Sequence, residues 1–268
     1  MIFLKLILIS STVKAAIFSK FFKMITPPED ISKNGHLIDS LFNYITYANI
    51  FFFLLVCIGL FGFSILYRKS RHPKAYYTHG NKRPHIILAS LVGLLVFVTI
   101  DMKITTMSND DFTKIIINWP KESEDVVRIE VLGQQWVWNF RYAGEDKIFN
   151  TDDDIVLLNE LYLPKGKKIV FQLTSKDVIH ALYFPNARRK VDAMPGRISR
   201  MWFELTKTGQ YDIACAEMCG TYHYRMKSKL HVLSQDDYKT WTKQAQIKAN
   251  ETIDPENEEL FWGWKWEY

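Results

Sequence analysis

The sequence predicts a membrane-anchored protein in which an α-helical hairpin of two transmembrane helices precedes an all-β Greek-key sandwich domain. Two uncharged apolar runs lie within residues 41–104, and from residue 126 apolar and polar residues alternate with a period of two. Residues 1–104 have 12 Lys/Arg against 4 Asp/Glu, whereas residues 105–268 have 22 against 25. Because the net positive charge lies in the membrane half, nucleic-acid binding has little support. Four segments are expected: a lead-in at 1–40, the anchor at 41–104, the β domain at 105–235 and a C-terminal segment at 236–268.

The lead-in opens with a segment of mixed character. Residues 1–22 contain an early lysine, a short apolar stretch and the small residues Ala15 and Ala16. This composition fits either a cleavable signal segment or an uncleaved membrane segment. Pro27 and Pro28 should end any helix or strand that precedes them. Residues 29–35 form a polar segment that leads to the first transmembrane run.

Two apolar segments form the predicted hairpin. Leu41–Tyr67 is almost wholly apolar and uncharged, and about 20 such residues cross a bilayer as a helix. A second run continues from Ile86 to about Ile104, with two charged residues at its interfacial end. The connecting loop, residues 68–85, has six Lys/Arg and no Asp/Glu, a pattern typical of cytoplasmic or matrix loops. The C-terminal domain is therefore expected on the periplasmic or intermembrane-space side.

Short β-type runs separated by turn sequences follow from residue 126. Val127, Ile129 and Val131 alternate with charged residues, and Pro-Lys-Gly at 164–166 is one of several turns. Many short strands at this spacing are typical of a β-sandwich or barrel. The further predicted strands are 136–142, 155–158, 160–163, 168–173, 179–184, 199–205, 211–215 and 226–233.

A helix and a tail complete the chain. Ser234 is a predicted N-cap, and two aspartates lie in the first turn of a helix over residues 234–250. Residues 251–268 are first acidic and then rich in tryptophan, a composition that suits a strap against a partner or lipid headgroups.

The stretch Cys215–Met226 contains the residues of a metal site. Cys219, His223 and Met226, with the distant His180, supply one thiolate, two imidazoles and one thioether. That combination is the ligand set of a blue-copper electron-transfer site on a β-sandwich. Soft sulfur with imidazole favours copper over magnesium or calcium.

Cys215 adds a second thiolate, which is one too many for a single copper ion in that geometry. Two copper ions bridged by both thiolates use the whole set, with one histidine on each ion. Met226 fills one of the two remaining weak positions, and a backbone carbonyl such as that of Glu217 fills the other. The residues thus supply a complete set for a dinuclear site.

Two alternatives remain open at this cluster. A structural zinc ion could use both cysteines and both histidines, although zinc cysteines are more often two residues apart and Met226 would then be idle. In an oxidising compartment Cys215 and Cys219 could form a disulfide instead. His231 competes with His180 as the second imidazole, but it lies inside the last predicted strand.

The chain resembles subunit II of the haem–copper cytochrome c oxidases, over both spans and residues 126–235. The landmarks are Gly133–Trp138 (GQQWVW), Asp177–His180 (DVIH), Asp192–Arg197 (DAMPGR) and the Cys215–Met226 run. The resemblance implies a cupredoxin-like domain that binds the dinuclear copper centre CuA. The implied copper ligands are His180, Cys215, Glu217 by its carbonyl, Cys219, His223 and Met226.

The resemblance also assigns roles around the copper site. The Glu217 side chain is implied to reach a magnesium ion shared with subunit I, and Trp136 to receive electrons from cytochrome c. Asp192 and Arg197 belong to the motif that contacts subunit I. An acidic surface should attract the basic donor, and Asp177 matches a docking position of the family directly. The other candidate docking residues are Glu145, Asp146, Asp152, Asp153 and Asp154.

Two departures from the family pattern stand out. This chain has Gln134 and Val137 where the family usually has histidine and an aromatic residue, so the docking surface should differ in detail. Many members have an acidic residue at the cytoplasmic end of the second span that opens a proton path. Here residues 81–85 contain no acid, so either subunit I supplies the path or His79 or His85 substitutes.

The implied function is that of subunit II of a respiratory cytochrome c oxidase, which passes electrons to haem in subunit I and does no bond chemistry itself. The implied partners are subunit I, subunit III, cytochrome c and membrane lipid. The long lead-in before the first span and the loop sequence at residues 72–80 favour a bacterial inner membrane over a mitochondrial one. The alternative is the CuA subunit of a nitric oxide-reducing relative. A quinol-oxidase subunit II would lack the ligand cysteines, and a copper carrier would need exchangeable copper.

Overall fold

A computed structural model describes residues 26–74, 77, 79–121 and 126–252. The chain divides into two units, residues 1–30 and 31–268. Of the first unit only residues 26–30 are described, and they lack regular secondary structure. The predicted signal segment and the acidic, Trp-rich tail beyond residue 252 lie outside the described residues.

Two long apolar helices confirm the predicted hairpin. Helix α1 is Gly35–Leu66 and helix α2 is Arg83–Ile117, and both have the length and composition to cross a membrane. Helix α2 has π-helical segments at Phe97–Asp101 and Thr113–Ile117. The Tyr44 hydroxyl of α1 donates to a carbonyl in the first of these segments, that of Thr99, at 2.8 Å.

Both helices are longer than the apolar runs that predict them. Helix α1 begins at Gly35 rather than Leu41, and α2 ends at Ile117 rather than near Ile104. At a rise of about 1.5 Å per residue, α2 exceeds the roughly 30 Å hydrocarbon core and continues beyond it. Its last turns are stabilised by the β domain, where Ile115 is buried. Hydropathy marks only the part of a helix that lies in lipid, which explains the difference.

The extramembrane domain has ten strands in two five-stranded sheets. The sheet orders are β3-β2-β1-β5-β8 and β4-β10-β9-β6-β7. The pairs β1–β5 and β4–β10 are parallel, and all other pairs are antiparallel. The strands are β1 Val126–Gln134, β2 Val137–Tyr142, β3 Ile155–Leu158, β4 Glu160–Pro164, β5 Lys168–Ser175, β6 His180–Phe184, β7 Arg189–Ala193, β8 Ser199–Glu204, β9 Gly209–Cys215 and β10 Lys227–Leu233.

The two sheets share one apolar core. Phe171 and Phe203 of the first sheet contact Phe184 of the second, with ring centroids 5.5 and 5.0 Å away. Alternation produces this packing: along β10, Ser228, Leu230 and Val232 are buried while the intervening residues are not. The β-sandwich predicted from the period-two pattern is therefore confirmed.

Strand β7 was missed by the sequence prediction, whereas the C-terminal helix was predicted. Strand β7 has the sequence RKVDA, which lacks a run of β-branched or aromatic residues and was not predicted. It forms because β6 supplies a full antiparallel partner. Helix α3, Gln235–Thr252, follows Ser234, whose hydroxyl accepts from the Asp237 amide at 3.1 Å as an N-cap. Trp241 of α3 stacks on Tyr162 with centroids 4.7 Å apart.

Candidate metal centre

Two buried thiols lie at the centre of the candidate site. Cys215 is the last residue of β9, and Cys219 lies in the loop that leads to the short 3-10 helix His223–Arg225. Their Sγ atoms are 3.7 Å apart. A disulfide bond is about 2.0 Å long, and both cysteines are free. The loop therefore presents two thiols side by side.

Each thiol faces one imidazole. The His180 Nδ1 atom lies 3.9 Å from Cys215 Sγ, and the His223 Nδ1 atom lies 3.4 Å from Cys219 Sγ. His180 is the first residue of β6, which pairs with β9, and this pairing brings a residue 35 positions earlier to Cys215. His180 is fully buried.

Two weaker donors complete the cluster. The Met226 Sδ atom lies 3.7 Å from Cys219 Sγ, and the Glu217 carbonyl oxygen lies 3.3 Å from Cys215 Sγ. Met226 is buried, whereas the Glu217 side chain is exposed. All six groups proposed as copper ligands are thus brought together. His231, the competing histidine, instead stacks on Tyr162 and pairs with Glu160.

The two thiols differ in acidity. Burial raises the pKa of the Cys215 thiol, but its hydrogen bonds with His180 and with backbone groups outweigh burial and bring the pKa down to about 6. Burial raises the pKa of the Cys219 thiol, and the neighbouring Cys215 thiolate raises it further. Without metal the pair therefore shares a proton, which a bound cation would displace.

Hydrogen bonds hold the ligand residues from outside the cluster. The His180 Nε2 atom lies 2.9 Å from the Asp177 carboxylate, which also accepts from the Gln135 amide at 2.7 Å. Burial lowers the pKa of His180, but its hydrogen bonds with Cys215 and Asp177 outweigh burial and raise it. A carboxylate on the outer nitrogen of a ligand histidine fixes the ring's orientation and tautomer.

The Trp136 region fixes the loop between the cysteines. The Gln135 side-chain amide and the Trp136 indole N–H both donate to the Cys219 carbonyl, at 2.8 and 3.2 Å. The Trp136 ring also meets the edge of Tyr222 at 4.8 Å. Trp136 thus touches the cluster loop directly. Sequence reasoning gave Gln135 and Tyr222 no role, because neither has a ligand side chain.

Gly133 leaves space for two aromatic rings beside the cluster. A Cβ atom there would lie 3.0 Å from Trp138 and 3.2 Å from the His180 ring. We expect Gly133→Ala to displace His180 and to destabilise the domain by about 1–3 kcal/mol, as overpacked cores do. Thermal melts and copper titrations of the full chain test this expectation. Gly196→Ala is unsuitable as a control, because a φ of +71° at residue 196 would strain any alanine there. Gly62→Ala, in open space on α1, is the control; equal melts for both variants would contradict the expectation.

The acidic docking candidates divide into two groups. Asp177 lies beside the cluster, through its contact with His180. The others belong to the loop after β2, and β2 runs away from Trp136 for six residues, about 20 Å. Within this loop, Asp153 accepts from Thr151 at 2.7 Å. The members of the loop group are Glu145, Asp146, Asp152, Asp153 and Asp154.

Asp154 differs from the surface position expected of a docking residue. Only 5% of it is exposed, and its carboxylate lies 3.4 Å from the Arg141 guanidinium, which is 1% exposed. The carboxylate also accepts from the Asn150 amide at 2.7 Å. Asp154 therefore stabilises the loop that contains it, and its buried carboxylate is not available for contact with a donor protein. Its place in a DDD run concealed this, because the sequence does not show which of three adjacent carboxylates faces inward.

The burial of Asp154 has a pH-dependent consequence. Burial raises its pKa to about 6, although the Asn150 amide and Arg141 favour the ionised form. The folded state therefore binds this proton more tightly than the unfolded chain does, so the contribution of Asp154 to stability falls as the pH rises from about 4 to 6. We expect the melting temperature of Asp154→Asn to fall less than that of the wild type across this window. Near-ultraviolet circular dichroism measures both melts, and parallel curves would refute the assignment.

The donor set fits copper. His180, Cys215 and Cys219 have ligand atoms within 4.8 Å of one another, in a buried cluster compatible with a metal ion. Thiolate, thioether and imidazole donors are those that copper prefers. A zinc ion would leave the Met226 thioether without a role, although it lies in the same cluster.

Comparisons with known proteins agree with this geometry. The family described as cytochrome c oxidase subunit II, periplasmic domain, matches residues 127–232. The alternative cytochrome c oxidase subunit 2 of Bradyrhizobium diazoefficiens is 35% identical over 147 residues, which cover 47% of this chain and 53% of that relative. The probable cytochrome c oxidase subunit 2 of Rickettsia conorii is 27% identical over 232 residues, 80% of this chain and 69% of that relative.

One solved structure serves as an example of the comparison with known structures. The crystal structure of the periplasmic domain of subunit II of cytochrome oxidase from Bradyrhizobium japonicum is 29% identical, with a TM-score of 0.42, over 48% of this chain and 97% of that chain. The chain spans only part of the length of its relatives, 53% of the Bradyrhizobium diazoefficiens protein and 36% of the cytochrome c oxidase subunit 2 of Thermostichus vulcanus. The part of this chain that is similar to cytochrome c oxidase subunit II is thus mainly the domain that residues 127–232 form.

Proposed function

We propose that this chain is subunit II of a respiratory cytochrome c oxidase. It accepts electrons from cytochrome c at a dinuclear copper site and delivers them to haem in subunit I, where oxygen reduction is coupled to proton pumping. The observation that supports this most strongly is the convergence of two thiols, two imidazole nitrogens, a thioether and a carbonyl in one buried cluster. In this proposal the chain only transfers electrons, and none of its side chains makes or breaks a covalent bond of a substrate.

Six groups would hold the copper pair: His180, Cys215, the Glu217 carbonyl, Cys219, His223 and Met226. When bound there, the copper pair would supply a one-electron carrier. The chain's own contribution is rigidity. Both cysteines, Met226 and His180 are buried, so the ligands keep water out and have little freedom to rearrange.

The surface around the cluster suits a transient protein partner. Trp136 is partly exposed and contacts the loop that carries Cys219. Its neighbourhood combines exposed apolar side chains with one carboxylate, that of Asp177, which a basic donor would approach. The exposed apolar residues are Val178, Ile179, Met218, Tyr222 and Tyr224. The loop acids Glu145, Asp146 and Asp152 would add long-range attraction rather than direct contact.

Partners of the assembled oxidase complete the proposal. The exposed Glu217 side chain would reach a magnesium ion shared with subunit I. The exposed apolar surfaces of α1 and α2 would face lipid, subunit I and subunit III. The basic loop between the helices would lie in the cytoplasm of a bacterium, with the β domain in the periplasm.

Rapid mixing of reduced cytochrome c with the copper-loaded full chain tests this function. We expect oxidation of the donor by one electron per chain, with a rate that falls as salt is added. Trp136→Phe should slow the reaction without changing the bound copper, whereas Trp119→Phe, at the end of α2, should not. Absence of donor oxidation at every salt concentration would contradict the proposed function.

A further inference from the structure

A charged fork joins the first membrane helix to the β domain. Asp39 lies in the second turn of α1, and Arg188 follows the short 3-10 helix Pro185–Ala187. The Arg188 Nε atom donates to one Asp39 oxygen at 2.7 Å, and Nη2 donates to the other at 3.1 Å. The third nitrogen, Nη1, donates to the Pro185 carbonyl at 2.7 Å. This two-point contact fixes direction as well as distance.

The Arg188 side chain is mostly buried and its backbone is held firmly, so the ion pair can transmit force to the sandwich. The Arg188 side chain is only 10% exposed, so water screens the contact weakly. Its backbone has a φ of +56°, in the left-handed region, and caps the turn between β6 and β7. Residues held in such a conformation need support from their surroundings. Here the Pro185 carbonyl accepts from both the backbone and the side chain of Arg188.

Strand β6 connects this turn to the metal cluster. It begins at His180 and ends at Phe184, immediately before the 3-10 helix that leads to Arg188. Strand β6 pairs with β7 along its whole length, and its Leu182 pairs with Cys215 of β9. Five residues of a strand span about 17 Å. A movement of the turn relative to α1 would therefore also displace the strand that begins at His180 and pairs with Cys215.

The other contacts at this junction are backbone hydrogen bonds, a β-bridge, an exposed ion pair and the burial of Ile115 of α2. The Ile31 amide donates to the Asn186 carbonyl at 2.9 Å, and Ser32 forms a single β-bridge with Leu205. These two contacts belong to the extended segment ahead of α1, whereas the Asp39–Arg188 pair holds the helix itself at two points. The Lys33–Glu204 pair at 2.8 Å is more exposed, with 60% of the lysine side chain accessible. Such pairs contribute little.

We propose that the Asp39–Arg188 ion pair is a positioning contact that sets the angle of the metal-bearing sandwich on the membrane helices. Its consequence for electron delivery rests on the proposed function, since transfer to a fixed partner in the membrane requires a fixed direction. The geometry itself is independent of any metal. Asp39 and Arg188 are thus positioning residues and have no contact with the cluster.

Three single variants of the full chain test the contact. Asp39→Asn removes the charge and leaves the turn untouched. Arg188→Asn removes the fork and keeps a residue that tolerates positive φ. Lys33→Gln, which breaks the exposed pair at the same junction, is the matched control. Electron paramagnetic resonance of copper-loaded chains in oriented membrane multilayers measures the angle of the site to the membrane.

A second measurement needs no copper. Hydrogen exchange of the backbone amides of Ile31 and Arg188 reports opening of the junction. Asp39→Asn and Arg188→Asn should speed this exchange about tenfold. They should also remove the angular dependence of the resonance spectrum while leaving its line pattern intact, and Lys33→Gln should change neither.

The two measurements separate the possible outcomes. Unchanged angular dependence in Asp39→Asn, with or without faster exchange, would overturn the positioning role, because a merely stabilising pair changes only exchange. A wild-type chain that binds no copper pair would overturn the proposed function. Faster hydrogen exchange in Asp39→Asn of that same chain would still support the contact between helix and domain.

Discussion

Replacing Cys219 by serine is expected to abolish the dinuclear copper site. Cys219 Sγ lies 3.7 Å from Cys215 Sγ and also contacts His223 and Met226, so it joins three of the other proposed ligand groups. A serine hydroxyl is a hard, protonated donor that bridges copper poorly. Copper analysis and paramagnetic resonance of the full chain should therefore show at most one ion, with its electron confined to that ion.

The chain provides its own control for this variant. Cys57 lies within α1, outside the β domain, and is a free thiol. Cys57→Ser should keep the full copper content and the spectrum of the wild type. A Cys219→Ser chain that still binds two coppers with a shared electron would show that the second bridging group lies elsewhere.

Replacing Trp138 by alanine is expected to have the largest effect on stability. Trp138 is fully buried in the core, and its ring meets the edge of the His180 ring at 5.8 Å. Truncating a buried tryptophan costs about 3–5 kcal/mol, through lost burial and the cavity that remains. The cavity would open beside His180, so the copper affinity should fall together with the free energy of unfolding.

Chemical unfolding followed by near-ultraviolet circular dichroism measures the loss, and a copper titration measures the affinity. Trp138→Phe, which keeps an aromatic ring in the core, is the matched control and should lose less of both. A Trp138→Ala chain as stable as the wild type would refute the placement of this ring in the core. Loss of stability with unchanged copper affinity would refute the link to His180.

The parts that followed from the sequence are those set by local pattern. Apolar runs long enough to cross a bilayer predicted α1 and α2. Alternation and short β-type runs predicted nine of the ten strands, and Ser234 predicted the start of α3. Most of the proposed ligand set followed from chemistry, because Cys215, Cys219, His223 and Met226 all lie within eleven positions of one another along one stretch of chain. His180 was predicted because the site lacked a second imidazole and because of the family resemblance, and the pairing of β6 with β9 brings it to Cys215.

The parts that did not follow depend on tertiary partners. Strand β7 is mostly polar and forms through its pairing with β6. The extension of α2 beyond the apolar run depends on a domain surface that buries Ile115. Asp154 lies among exposed carboxylates in sequence, and only the fold places it against Arg141. The Asp39–Arg188 fork joins residues 149 positions apart, which no local pattern can indicate.

The most direct test of the central claim is metal analysis combined with electron paramagnetic resonance of the copper-loaded full chain. The account predicts two copper ions per chain and a hyperfine pattern from one electron shared equally between two nuclei. One copper ion with an unshared electron, a zinc ion that copper does not displace, or a Cys215–Cys219 disulfide that takes up no metal after reduction would contradict it.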